Sequence, residues 1–213
     1  MALSFSFVSC SSDGDEEVSG GDYKSGIYVI NGHKFVDLGL PSGILWAETN
    51  VGAETAADDG NYYAWGETKP KSSDTSENYT YNGIKNVLDK SADAAYVNWG
   101  SPCRMPTKTE FAELCNTDNC TWTWTSKTNS SNETINGYEV TSKTNGNSIF
   151  LPASGCRNGS SLRHYGSSGR YWSSTLYYLD TSDAYHLFFS SDYFSSDYFY
   201  CYLGFTVRPV AER

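Results

Sequence analysis

The sequence predicts an α+β domain rich in β-structure, with few short helices and long loops. Three observations point there. Asn-Gly pairs interrupt runs of apolar and β-branched residues. Several segments alternate between apolar and polar at period two. Only two short stretches carry helical signals.

The first element is a hairpin. IYVI and HKFV flank Asn31-Gly32, and Asn-Gly suits a type I′ turn because both positions tolerate positive φ. Lys69 to Asn86 is polar and without period, which predicts a long surface loop. Asp93 to Val97 predicts one short helix. A second follows Pro106, where Thr107 and Glu110 match a capping box and Phe111 and Leu114 give an apolar face. TWTWT alternates, so Trp122 and Trp124 share one face of a strand. Asn136-Gly137 and Asn145-Gly146 bracket YEVTSKT and precede NSIFLP, which predicts further hairpin strands with turns at both pairs. Ser160 to Gly169, rich in Ser and Gly, predicts another loop.

Toward the C-terminus, period two puts Tyr185, Leu187 and Phe189 on one face as core. His186, Phe188 and Ser190 then point outward or into a groove. Tyr171, Trp172, Phe194 and Phe205 are also expected in the core. Gly204 to Val210 reads as a final strand, with Phe205 and Val207 on one face and Pro209 ending the pairing.

Composition narrows the function. The chain of 213 residues carries a net charge of −10 and no Lys/Arg cluster, which argues against a nucleic-acid partner. No apolar run is long enough to span a bilayer. Residues 1–22 read as a signal remnant and acidic linker ahead of a ligand-binding domain at 23–213. A short stretch of apolar and small residues ends at Cys10, followed by SSDGDEE. This resembles the end of a bacterial lipoprotein signal, with Cys10 lipidated and the basic start of the signal truncated. The acidic run resembles the export signal of Bacteroidetes surface lipoproteins, so the expected place is the outer membrane, exposed at the cell surface and held by acyl chains alone. An ordinary N-terminus with an incidental cysteine is the alternative.

Five other cysteines remain, Cys103, Cys115, Cys120, Cys156 and Cys201, and an odd number cannot all pair internally. Cys115 and Cys120 could close a small loop, while buried free thiols are the expectation for most. No cysteine or histidine spacing suggests a metal site: His33, His164 and His186 share no ligand pattern. Asp192 and Asp197 fit no EF-hand loop. Neither a cofactor nor a metal is expected. Hydrolase elbows, HExxH and phosphate loops are absent, so a non-enzymatic role is expected.

The most unusual stretch is FFSSDYFSSDYFYCYL, Phe188 to Leu203, which contains SSDYF twice in succession. Tyr supplies a rigid apolar face with a hydroxyl, and Ser supplies adaptable hydrogen bonds. Antibody binding loops use the same mixture. The candidate ligand-binding residues begin at Tyr177, Tyr178, Asp180, Asp183, His186, Phe188 and Ser190. They continue through Asp192, Tyr193, Ser195, Asp197, Tyr198 and Phe199 to Tyr200, Tyr202 and Leu203. Phe194 is expected to turn inward and its counterpart Phe199 outward.

Several phrases together carry a family resemblance. They include VDLGLPSGILWAETNVGA, YYAWGET, DAAYVNWG, RMPTKTEF, CTWTW, IFLPASG, YWSST and GFTVRPV. In this order they resemble the Bacteroidetes and Fibrobacter major paralogous domain family of secreted and surface lipoproteins. The resemblance runs from about Gly26 to Val210. It implies a C-type-lectin-like fold related to formylglycine-generating enzymes, with paired N- and C-terminal strands and a loop-borne binding surface. Some such proteins are variable proteins of diversity-generating retroelements, in which template adenines are mutated on copying. Asn codons then become codons that cannot encode Lys, Glu, Gln, Met or Trp. All five are absent between Leu176 and Val207, and Asn is absent there too. The implied variable region is about 176–203.

The resulting expectation is non-catalytic recognition of a protein or glycan on another cell, a phage or a host surface. A surface or fimbrial assembly subunit with a fixed aromatic interface is the alternative. A formylglycine-generating-like oxidase, with Cys156 and Cys201 as the candidate copper pair, is a weaker one.

Overall fold

A computed structural model describes residues 26–213, so the expected lipidation site at Cys10 lies outside the described residues. The chain is β-rich with few short helices. The strands are β1 Ile27–Ile30, β2 His33–Asp37, β3 Leu45–Ala47, β4 Cys120–Thr128, β5 Thr134–Ser142 and β6 Ser148–Pro152. They continue as β7 Cys156–Asn158, β8 Ser161–Arg163, β9 Ser168–Leu176, β10 Asp183–Ser190, β11 Tyr193–Tyr200 and β12 Val210–Ala211. The α-helices are α1 Ala94–Trp99 and α2 Lys108–Cys115.

Four sheets result. One has the order β1-β2-β3-β12, so the C-terminal strand pairs beside the N-terminal hairpin. The others are β11-β10-β9, β4-β5-β6 and β7-β8. In the first hairpin Asn31 and Gly32 both take positive φ, 50° and 79°, as a type I′ turn requires. The Asn31 amide then donates to the carbonyls of Trp99 and Ser101, at 2.8 and 2.9 Å, and ties the turn to the end of α1.

Strand alternation sorts apolar residues into two large cores. Phe35, Ala47, Trp172, Leu176, Ala184 and Phe205 belong to the first. Val36, Trp46, Val210, Tyr171, Leu187 and Phe189 belong to the second. Val36, Trp46 and Val210 are register partners in one row across the first sheet, and Tyr171 pairs with Leu187 in the β9–β10 ladder. The inner strands β2, β3, β9 and β10 therefore bury residues on both faces. Arg208 is fully buried and joins the layers. Its guanidinium donates to Asn50 Oδ1 and to the carbonyls of Ala47, Glu48 and Phe150, all within 2.8–3.1 Å.

The helical expectations match the structure. Asp93 caps α1 by accepting from Tyr96 N at 2.9 Å. The capping box of α2 is complete, and the Glu110 carboxylate also takes a two-pronged ion pair from Arg104 at 2.7 and 2.9 Å. Trp122 and Trp124 share a face, packed on Tyr138 at 5.2 and 5.1 Å.

Three expectations need correction. Asn136-Gly137 lies inside β5, where Gly137 pairs with Thr125 and Pro152. Close approach explains this glycine: a Cβ there would lie 2.3 Å from the Leu151 carbonyl. The loop expected from Ser160 to Gly169 contains β8, because Gly159 at φ 58° turns the chain back onto β7. Pro209 does not end pairing. Its carbonyl accepts from Ala47 N at 2.9 Å, and Val210 and Ala211 still pair with β3. An edge strand tolerates proline because its missing N–H is not needed.

Candidate ligand-binding face

The hairpin of β10 and β11 and the loop at 177–182 position the expected binding residues. In the sheet order β11-β10-β9, β11 is an edge strand. Its cross-strand partners define the two faces. Tyr193, Ser195, Asp197 and Phe199 pair with Ser190, Phe188, His186 and Ala184, and share one face with them. Phe194, Ser196, Tyr198 and Tyr200 pair with Phe189, Leu187, Tyr185 and Asp183 on the other.

The repeated pentapeptide now has a physical reading. Five is odd and the strand period is two, so corresponding residues of the two copies land on opposite faces. Phe194 turns into the second core and stacks on Trp122 at 4.4 Å with the rings 9° apart. Phe199 turns the other way and is 40% exposed. The tyrosines divide as well. Tyr193 neighbours Phe188 at 6.2 Å. Tyr198 lies flat on Tyr177 at 3.8 Å, and Tyr177 meets Tyr185 edge-on at 5.5 Å. The Lys108 ammonium sits 4.3 Å above the Tyr185 ring and closes this second group.

Most expected residues reach the surface. Tyr178, Asp180, Asp192, Tyr193, Asp197, Tyr198, Phe199 and Tyr200 are exposed. Tyr177, Asp183, Phe188, Ser190, Ser195 and Tyr202 are half-buried. Asp180 folds its own loop, accepting from the Ser182 amide and hydroxyl at 2.9 and 2.8 Å. Burial and the Asp180 charge raise the pKa of Asp183. Ser190 donates to Asp192 at 2.9 Å across the hairpin turn.

Two expected residues do not reach the surface. His186 is fully buried, with its ring 5.0 Å from Phe205 and 5.9 Å from Trp172. Period-two reasoning placed it outward or in a groove because it assumed a single core; here the first core covers that face of β10. Arg170 Nη1, always a donor, lies 3.3 Å from His186 Nε2, so Nε2 accepts and the ring is neutral. Burial, then the Arg170 charge, holds its pKa well below the ordinary value. Leu203 is buried in the first core, where the chain has already left the edge strand. Tyr185, expected as core, is half-buried at the rim under Lys108.

The structure adds residues that the sequence pattern passed over. Leu179 is 68% exposed beside Tyr178 at the tip of the loop. Lys108 and Arg170 come from other elements, α2 and β9, and nothing in their local sequence marks them. Recesses elsewhere, one lined by Lys90, Tyr96 and Arg104 and another by Glu67, Lys71 and Tyr81, take no residue from 177–203. The tyrosine-bearing surface lies at a sheet edge, apart from these recesses.

The five described cysteines are free thiols. Burial pushes the Cys201 thiol up to about 12 and raises Cys156, which sits beside Arg170. Among the described residues no group of three or more His, Cys, Asp or Glu side chains is placed to hold a metal ion. No curated protein and no solved structure matches the chain. Residues 128–210, which include β5 to β11 and the start of β12, match the model of a family described as a domain of unknown function (DUF8237).

Proposed function

We propose that this chain is a non-catalytic ligand-binding protein with a C-type-lectin-like domain, held at the cell surface by a lipid anchor. Its β10–β11 hairpin and the loop at 177–182 form a binding face diversified by a retroelement. The ligand is a protein or glycan on another cell, a phage or a host surface. One observation carries the reading: exposed aromatic and polar residues of the edge strand β11 and the loop at 177–182 stand beside a frame on β10 and its neighbours that is buried in the cores. Tyr193, Tyr198, Phe199 and Tyr200 are exposed, while Leu187, Phe189 and Phe205 are buried. Exposed rings in that number are unusual for a surface with no partner. The pairing of β12 beside the N-terminal strands supports the C-type-lectin-like reading.

A displayed library randomised at Tyr178, Tyr193, Tyr198, Phe199 and Tyr200 tests the proposal. Panning against bacterial surface proteins and a glycan array should yield binders of different specificity whose melting temperatures stay close to that of the parent. A well-folded library that yields no specific binder would refute it.

A second reading, a surface assembly subunit, is favoured by the position of β11 as an edge strand. Sedimentation would then show concentration-dependent oligomers that Tyr193→Lys abolishes.

A further inference from the structure

Arg170 projects from β9 onto the face of the sheet that carries Phe188, Tyr193 and Phe199. Its guanidinium carbon lies 4.6 Å from the Phe188 ring centre, 5.4 Å from Phe199 and 5.7 Å from Phe205. It meets the His186 ring nitrogen at 3.3 Å, and the Cys156 thiol is beside it. Its Nε is buried and has no partner. Among the described residues no carboxylate comes within ion-pairing distance of this guanidinium. Asp197, on the same face, influences it only from further away, and one Asp197 oxygen already accepts from Tyr198 N at 2.9 Å.

The contrast with two other enclosed arginines, Arg208 and Arg104, is chemical. Arg208, fully buried, is bonded to four oxygens. Arg104 holds Glu110 through two nitrogens. Arg170 is half-buried and meets rings, an imidazole and a thiol, so it has a fixed charge and donors with no oxygen acceptor. Planar guanidinium groups bind carboxylates through paired hydrogen bonds, more strongly where water is partly excluded.

We propose that Arg170 is a built-in anchor for a carboxylate side chain of a protein ligand, received beside Phe188 and Phe199. The inference rests on the binding-face reading above. A carboxylate suits the site better than a phosphate, because Asp197 and the net charge of −10 oppose a dianion. A peptide side chain suits it better than an acidic sugar. The phenylalanine rings can pack on its methylene stem but offer no partner to sugar hydroxyls.

The test uses the whole protein and a small probe. Arginine Nε–H resonances of 15N-labelled protein are followed while N-acetylglutamate N-methylamide is added at constant ionic strength. The Arg170 resonance should move saturably in the millimolar range, and the glutamine analogue should leave it unmoved. Asp197→Asn should tighten the probe about two- to five-fold by removing a repelling charge. In the variants the probe is followed at the backbone amides of Phe188 and Phe199, which flank the site and remain in both, and there Arg170→Gln should abolish the response. Arg170→Lys, which keeps the charge where the glutamine variant fails to fold, should weaken it at least five-fold. No saturable shift, or an equal shift with the glutamine analogue, would overturn the anchor. Tighter binding of glucuronate or inorganic phosphate would overturn the assignment to a protein carboxylate. The two readings fail separately: selected binders that tolerate Arg170→Gln refute the anchor alone. A probe that binds Arg170 while the library yields no binder keeps the anchor's chemistry and refutes the binding face.

Discussion

The same substitution in the two copies of SSDYF should have very different costs. Phe194 is half-buried in the second core, stacked on Trp122 at 4.4 Å and edge-on to Tyr138 at 5.9 Å. Truncating a fully buried phenylalanine costs roughly 3–5 kcal/mol. Partial burial reduces the transfer part, while the lost aromatic pairs are worth about 0.5–1.5 kcal/mol. Phe194→Ala should therefore cost about 2 kcal/mol. Phe199 is 40% exposed and touches Tyr200 and the Arg170 guanidinium. Its truncation should cost about 0.5 kcal/mol, in the range of ordinary surface changes. In a domain of this size 1 kcal/mol shifts the melting temperature by about 2–4 °C. Urea unfolding followed by tryptophan fluorescence reads both variants, with the slope unchanged if only stability differs. Equal losses, or a larger loss at Phe199, would refute the claim that the odd repeat length reverses the faces.

Other consequences follow from the buried charges and glycines. The Asp74 carboxylate is fully buried, neither oxygen has a hydrogen bond, and burial pushes its pKa up to about 6. A raised folded-state pKa means this group's favourable contribution is present at low pH and lost as pH rises from about 4 to about 6. Asp74→Asn should flatten that slope and stabilise the protein at pH 7 by on the order of 1–3 kcal/mol. Denaturation at several pH values checks it, and unchanged stability at pH 7 would contradict it. His186 acts in the opposite sense. Its folded pKa is depressed, so its contribution is present above about 6.5 and is lost as pH falls below it. In the Asp74→Asn background, His186→Gln should reduce the loss of stability as pH falls below about 6.5; an unchanged loss would contradict it. Gly137→Ala should cost about 2 kcal/mol or more, because the new methyl meets the Leu151 carbonyl at 2.3 Å, whereas Gly146→Ala has open space and bears only the strain of φ 77°. Thermal melts of the two variants in the reverse order would count against this packing.

Local rules read well where one local cause decides. Asn31-Gly32, the Thr107–Glu110 capping box and the paired face of Trp122 and Trp124 each follow from a few neighbouring residues. The inward turn of Phe194 was also legible, since alternation fixes its face once Phe189 is core. The errors come from packing that sequence order does not reveal. His186 is buried because the first core covers the side of the sheet that simple alternation leaves to solvent, and Leu203 because the chain has left the edge strand and enters that same core. Asn136-Gly137 carries a turn signal, yet Gly137 serves close approach to β6 instead. Arg170 could not be found from its neighbours: its significance lies in the carboxylate it lacks and in rings from β10 and β11.

The central claim is a variable face on a fixed frame, and coding DNA from sibling isolates tests it most directly. Codons for exposed positions such as Tyr178, Tyr193, Asp197, Tyr198 and Tyr200 should differ between isolates. They should read AAC or AAT in a nearby template repeat beside a reverse transcriptase gene, while those for Trp172, Leu187, Phe189 and Phe205 stay constant. Identical codons across the whole 176–203 stretch, or changes falling equally on the buried frame, would contradict it.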